Sequence, residues 1–304
     1  MKNPFLSVFV VIVANLIMSV SCLYGQQDLS NKLLAKGATL TREATGYSFT
    51  EGPAVDPQGN VYFTDQPNDR IIKRALDGNI SVYMEKAGRA NGLYFDNDGN
   101  LLSCSDLENQ LWKIAPDQTV TVLIRDFEGK KLNGPNDLWV DPKGGVYLTD
   151  PFYKRPWWNR SEKEIEAENV YYLSPDGSSL TLAATGFVRP NGIVGTPDGK
   201  KLYVADINDG KTWSFTINPD GTLGGKTLFT SLGSDGMTID NKGNVYLTGK
   251  GVSVFNPAGE KIAQIDVEER WTANVCFGGK KQKTLFITAS QSLYSLPMKV
   301  RGVR

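Results

Sequence analysis

Six residues with side-chain oxygens, Glu51, Asn91, Asn136, Asn191, Asp235 and Asn274, each head a short apolar run in this 304-residue chain. Two are carboxylic acids and four are amides. Such a set suits a hard divalent cation, because Ca²⁺ takes roughly 6–8 oxygen ligands from carboxylates, amide carbonyls and water. Two carboxylates match its charge, and neutral amides fill the shell. Histidine is absent altogether. That excludes the Ser-His-Asp triad, a His-activated cysteine, His-rich zinc sites and an imidazole proton shuttle. Catalysis must then run on carboxylates, Lys, Tyr, a metal ion or water. With no Cys at the six positions either, Ca²⁺ heads the candidate cofactors, ahead of Mg²⁺, Mn²⁺ and Zn²⁺.

An Asn-Gly pair alone reads as a turn. The six residues are set apart by a script that each one opens. Glu51-Gly-Pro-Ala-Val-Asp leads through a Pro-x-Gly turn to Val61-Tyr-Phe-Thr-Asp65, and Asn136-Asp-Leu-Trp-Val-Asp leads likewise to Val146-Tyr-Leu-Thr-Asp150. Variants start at 91, 191, 235 and 274, giving intervals of 40, 45, 55, 44 and 39 residues. Short strands recurring every 40–50 residues mark a β-propeller with four strands per blade. The further runs Gln110–Ile114 and Thr119–Ile124 supply the outer two strands of one blade, and Asp-Gly pairs supply hairpin turns. Six repeats predict a six-bladed, all-β propeller.

The last repeat has three strands and then ends. Ala38-Thr-Leu-Thr-Arg-Glu-Ala-Thr-Gly46 resembles the fourth-strand segment Leu180-Thr-Leu-Ala-Ala-Thr-Gly186, so an N-terminal strand is expected to complete the last blade beside Leu293. This closure removes an open edge. The innermost strands line a central channel, and the six oxygen-bearing residues meet at its mouth. Asp137 follows Asn136 and would face away from the channel under strict strand alternation, which makes it structural. Asp65, Asp106, Asp150 and Asp206, which close second strands, are expected to cap turns.

The longest interval carries an insertion, Phe152-Tyr-Lys-Arg-Pro-Trp-Trp-Asn-Arg, followed by the Glu-rich stretch 161–168. Trp157 is a candidate substrate contact, as a wall or lid over the mouth, beside Asn91 and Asn136 on the rim; packing of the loop onto its blade is the alternative. The Glu-rich stretch reads as a solvated helical turn. Lys plus Arg equals Asp plus Glu, so nothing points to nucleic acid. Lys2 and the apolar run from Phe5 to Val20, turning polar by Gln26, read as a signal peptide over residues 1–25, ahead of one propeller domain over 26–304. Export to the periplasm or medium follows, with lipid attachment at Cys22 as the rival and no membrane span in the mature chain. Cys104 and Cys276 lie within apolar strands, as buried small residues rather than a bridge.

Glu51-Gly-Pro, Gly134-Pro-Asn-Asp-Leu, Pro190-Asn-Gly and Asp235-Gly-Met, in order and at blade spacing, resemble the regucalcin–gluconolactonase family of six-bladed propellers, above all its bacterial gluconolactonases. The resemblance implies that Glu51, Asn191 and Asp235 bind a divalent metal. It implies that Asn136 contacts substrate or completes the shell, and that Asp235 donates or accepts the proton. It also implies hydrolysis of sugar lactones. Gly134 departs from regucalcin-like members, which place Arg there to contact the sugar. Hydrolysis of an aryl or organophosphate ester, or a non-catalytic binding module with a structural ion, are the competing expectations, since a propeller fold alone does not fix function.

Overall fold

The computed structural model describes residues 32–303. The proposed signal peptide and Cys22 lie outside the described residues. Six four-stranded antiparallel sheets surround an axis. Their innermost strands are Thr50–Val55, Ala90–Phe95, Leu138–Val140, Pro190–Gly195, Met237–Ile239 and Thr272–Gly278, for blades 1 to 6. Each of these strands touches its neighbours in the ring, and that of blade 6 touches that of blade 1. Blade 6 is completed by Thr41–Thr45, which pairs with Ser292–Pro297 and sets Ala44 opposite Leu293. The expected closure is therefore present. Among the described residues no helix is long and apolar enough to cross a membrane.

The recurring script has a separate physical task for each of its parts. The Asp-Pro-x-Gly segment is the hairpin turn at the far end of the channel. Asp56 Oδ1 accepts from the backbone N–H groups of Gln58, Gly59 and Asn60, and Gly59 takes φ 100°, a conformation open mainly to glycine. Asp141 and Asp240 repeat the arrangement. The Thr of Thr-Asp stitches blades together. Thr64 and Thr149 donate Oγ1–H to the carbonyls of Asn91 and Asn191, each on the next blade's inner strand, and Thr248 does the same to Ala273. The Asp of that pair turns back on its own blade. Asp65 accepts from Ser48 and Phe49, Asp150 from Asn133 and Gly134, and Asp206 from Val188 and Arg189, all backbone donors in the loop entering the inner strand. The expected capping role holds in these three blades.

Blade 2 is the exception. Ser105 occupies the place of Asp65 in the sheet register, each facing the residue just before the mouth residue of its blade. Asp106 therefore lies one residue beyond the capping position, free for another use described below.

Apolar side chains fill the wedges between sheets. One cluster runs from Trp139, Tyr147 and Tyr172 of blade 3 through Val204 and Phe215 of blade 4 to Ile239 and Phe255 of blade 5. The fully buried Tyr147 satisfies its hydroxyl by donating to Gly221 O at 2.6 Å. Truncating a fully buried aromatic such as Phe63 to Ala removes roughly 3–5 kcal/mol of such packing. Cys104 and Cys276 are buried and unbridged.

Candidate active and metal site

The residue after each mouth residue decides how closely the blades approach. It is Gly52, Gly92, Gly192 and Gly236 in four blades. A Cβ on Gly92 would stand 2.5 Å from Asn136 O and 2.8 Å from Asp137 Oδ1, and one on Gly236 would stand 1.9 Å from Asn274 Cγ. Asn-Gly is thus a spacing device between blades here, rather than a turn. In blade 3 the position is Asp137. Its side chain points into the channel, which corrects the expectation that strand alternation would turn it away. The inner strands carry bulges at their mouth ends, with register shifts between Glu51 and Ala54, Ala90 and Leu93, Pro190 and Ile193, and Thr272 and Asn274. Blade 3 pairs regularly only from Leu138 onward. A bulge breaks the two-residue alternation on which the expectation rested.

Two hydrogen-bonded groups face each other at the mouth. In the first, Asn191 donates both amide protons, to Asp235 Oδ1 at 2.8 Å and to the Tyr153 hydroxyl at 3.0 Å. Its carbonyl oxygen is then the atom left for a ligand. Trp271 Nε1 donates to Asp235 Oδ2 at 2.5 Å. In the second, Asn274 Nδ2 donates to Glu51 Oε2 at 3.3 Å and to Asp137 Oδ2 at 3.4 Å, while Gly52 N–H donates to Glu51 at 2.8 Å. Asn274 Oδ1 accepts from Val275 N–H, so this amide bridges carboxylates inside the channel instead of lending its oxygen to the rim. Asn91 and Asn136 are buried on the same ring. The Asn136 backbone is fixed by Gly92 N–H and Thr149 O.

Burial dominates the electrostatics. It raises the Glu51 carboxyl well above the ordinary carboxylate range, and the charges of Asp235 and Asp137 add to the effect. Asp137 is pushed up to about 7, mainly by burial, against hydrogen bonds from Leu138 and Asn274 that favour its charged form. Asp235 reaches about 6, again by burial, offset by Trp271, Asn191 and the Arg155 charge. None of the three forms an ion pair with Lys or Arg among the described residues. Three buried carboxylates without a cation, beside amide oxygens, make a donor set that fits a hard divalent cation. Among the described residues no three His, Cys, Asp or Glu side chains cluster closely enough to hold a metal alone. A metal held here would have to draw on amide oxygens such as that of Asn191 beside the carboxylates.

The insertion folds over the mouth between blades 2 and 4. Asp106 anchors it: Trp157 Nε1 donates to Asp106 Oδ2 at 2.8 Å, Trp158 Nε1 to Asp106 O at 2.7 Å, and Arg155 pairs with Asp106 at 3.3 Å. The turn-cap expectation is corrected for Asp106, because the one-residue offset of Ser105 frees its carboxylate. Trp158 covers Gly134, where a Cβ would meet its ring at 3.1 Å. The Glu-rich stretch 161–168 forms bends, not a helical turn. Its charges are drawn elsewhere: Glu164 accepts from Lys131 N–H, and buried Glu168 pairs with Lys163 and Arg189. On the other side of Asp235, a depression of about 640 Å³ opens beside Trp271, Ile207, Thr248 and Lys250.

Sequence reasoning missed Asp137, Tyr153, Arg155 and Trp271. Asp137 had a signal, as the one polar residue among the glycines that follow the mouth residues. Tyr153, Arg155 and Trp271 lie in connections outside the repeated script and had none.

Residues 49–291 match the family described as the SMP-30/Gluconolactonase/LRE-like region. A gluconolactonase of Zymomonas mobilis is 30% identical over 289 residues, covering 85% of this chain and 81% of its own. Diisopropyl-fluorophosphatase of Loligo vulgaris is 26% identical over 272 residues, covering 80% and 86%. The solved structure of the gluconolactonase XC5397 of Xanthomonas campestris superposes with a TM-score of 0.83 at 29% identity, covering 89% of this chain and 92% of that one. A ring of oxygen donors at a propeller mouth, a match over most of the chain and these relatives together place the protein in the SMP-30/gluconolactonase/LRE-like family.

Proposed function

We propose that the protein hydrolyses sugar lactones at the channel mouth, with a divalent cation held by Glu51, Asn191 and Asp235 and with Asn136 close by. The observation that carries this is the set of three buried carboxylates with no Lys or Arg ion pair among the described residues, next to Asn191, whose amide protons are both spent on protein acceptors. Two gluconolactonases among the relatives support the choice of substrate. What a bound cation supplies is positive charge beside the lactone carbonyl, and an all-oxygen donor set favours Ca²⁺, with Mg²⁺, Mn²⁺ or Zn²⁺ as substitutes.

The chain's own residues do the rest. Asp235, at the mouth with one oxygen held by Asn191 and the other by Trp271, is the group placed to take a proton. Water oxygen bonds to the carbonyl carbon, its proton passes to Asp235, the ring C–O bond breaks, and the proton returns to the departing ring oxygen as a hydroxyl. Trp271 and Asn191 hold the two Asp235 oxygens in place through this cycle. Asn91, Asn136 and Trp157 are assigned to the substrate side of the site. The decisive experiment is a lactone panel assayed with metal-stripped and reconstituted protein, corrected for spontaneous hydrolysis. Full activity after exhaustive chelation sinks the metal's role. The Loligo relative supports a second reading, hydrolysis of a phosphorus ester, which the same panel tests with a fluorophosphate. A filled site without turnover of any ester leaves the propeller a binding module. Residues 1–25 are proposed to export the chain, which the N-terminal sequence of the secreted or periplasmic protein checks.

A further inference from the structure

The insertion builds a feature that a neutral sugar ring does not call for. Three guanidiniums and two aromatic rings alternate in one row. Arg89 lies 4.5 Å from the centre of the Trp157 ring, and Arg155 lies 5.6 Å from that ring and 5.2 Å from the Tyr153 ring. Arg189 lies 4.8 Å from the Tyr153 ring as well. The row draws on the loop entering blade 2, the insertion, and the loop entering blade 4. It ends against the proposed reaction centre, because the Tyr153 hydroxyl bonds Asn191 and the Arg155 charge acts on Asp235.

The charges in the row do not cancel. Arg155 is paired with Asp106 at 3.3 Å and Arg189 with Glu168 at 3.4 Å, but Glu168 also takes Lys163 at 2.9 Å. The Arg89 guanidinium donates to the carbonyl of Pro67, and among the described residues it has no ion pair with a carboxylate. Asp69 binds the Arg89 backbone N–H, holding that residue at φ 47°, a conformation uncommon for a side chain other than glycine. A guanidinium lying over a ring keeps its in-plane N–H donors free for a planar or tetrahedral oxyanion.

We propose that this row is the recognition site for an anionic group, a carboxylate or a phosphate, carried by the sugar lactone on the part remote from the scissile ester. The inference rests on the lactonase reading for its substrate, and on the row itself for its charge. The test compares initial rates on gluconolactone, glucarolactone and 6-phosphogluconolactone, for the wild type and for Arg89→Gln and Arg89→Lys. A charge-assisted contact of this kind corresponds to roughly 10–100-fold. The expected result is a KM for one of the anionic lactones at least about tenfold below that of gluconolactone. Arg89→Gln should shrink that ratio several-fold and Arg89→Lys should restore part of it. Preference for glucarolactone assigns a carboxylate, and preference for 6-phosphogluconolactone a phosphate. Equal KM values across the three substrates, with all hydrolysed, overturn the proposal and leave the lactonase reading standing. If no lactone is hydrolysed, the lactonase reading falls and calorimetry decides on the row. Sorbitol 6-phosphate or methyl glucuronide binding more tightly than sorbitol, with the difference lost in Arg89→Gln, sustains it; equal binding overturns it.

Discussion

Replacing Gly236 by Ala tests whether the close approach of neighbouring blades holds the carboxylate bridge in place. The new Cβ would stand 1.9 Å from Asn274 Cγ and 2.0 Å from its Oδ1, where ordinary contacts begin near 3.4 Å. One side must therefore move by well over an ångström. The Gly236 backbone cannot retreat, since its N–H is held by Ala273 O and Thr248 Oγ1, both at 2.8 Å, and its carbonyl accepts from Ser234 Oγ at 2.5 Å. Asn274 must swing away instead and give up Glu51, Asp137 and the Val275 N–H. Two of these contacts are long, so a loss of about 2–4 kcal/mol covers them together with the overpacking. Urea unfolding of the single mutants Gly236→Ala and Asn274→Ala and of the double mutant forms the cycle. With Asn274 truncated the obstacle is gone, and Gly236→Ala should then cost under about 1 kcal/mol, close to an ordinary Gly-to-Ala change. Additivity of the two single effects within about 0.5 kcal/mol would refute the steric account.

Asp235→Asn should lower lactone turnover by at least about 10³-fold while leaving the fold intact, because it removes a ligand charge and the proposed base together; near wild-type turnover with metal still bound moves the base elsewhere. Asn136→Ala should raise KM more than it lowers kcat, as steady-state kinetics on the best lactone will show. Asp106→Ala should release the insertion, since it removes the acceptor for Trp157 Nε1 and the partner of Arg155. Tryptic cleavage after Lys154 or Arg160 should then accelerate, and an unchanged cleavage rate would show that Trp158 and Phe152 hold the segment without Asp106.

Architecture was legible in the sequence because it repeats. A strand that recurs six times with the same neighbours fixes blade number, strand order and even the borrowed strand at Thr41–Thr45, since each depends only on pattern and on what the last repeat lacks. The mouth residues were legible for the same reason. Asp137 was misjudged because its orientation depends on a bulge, which is a property of two strands in register and not of either alone. Tyr153, Arg155 and Trp271 sit in segments that occur once. Nothing periodic marks them, and their roles come from where unrelated loops happen to meet. Asp106 is the instructive middle case: it looked like its counterparts, and a one-residue offset, set by Ser105 taking the register position, gave it a different partner.

The strand borrowed by blade 6 also governs how the chain reaches its final state. Thr41 pairs with Ser295 and Thr45 with Ser292, partners about 250 positions apart, whereas among the described residues every other strand pairing within the six sheets lies between strands consecutive in the chain. With the intervening chain still unfolded, closing a loop of that length would cost about 5 kcal/mol of chain entropy, so the contact gains little until the blades between its ends have formed. Five blades can assemble from local hairpins as they emerge, but the sixth waits for both ends. Ring closure is then the slow, late event expected of so non-local a contact. Until it happens, the sheet edge at Ser292–Pro297 stands open to any other strand, including the same segment of a second chain.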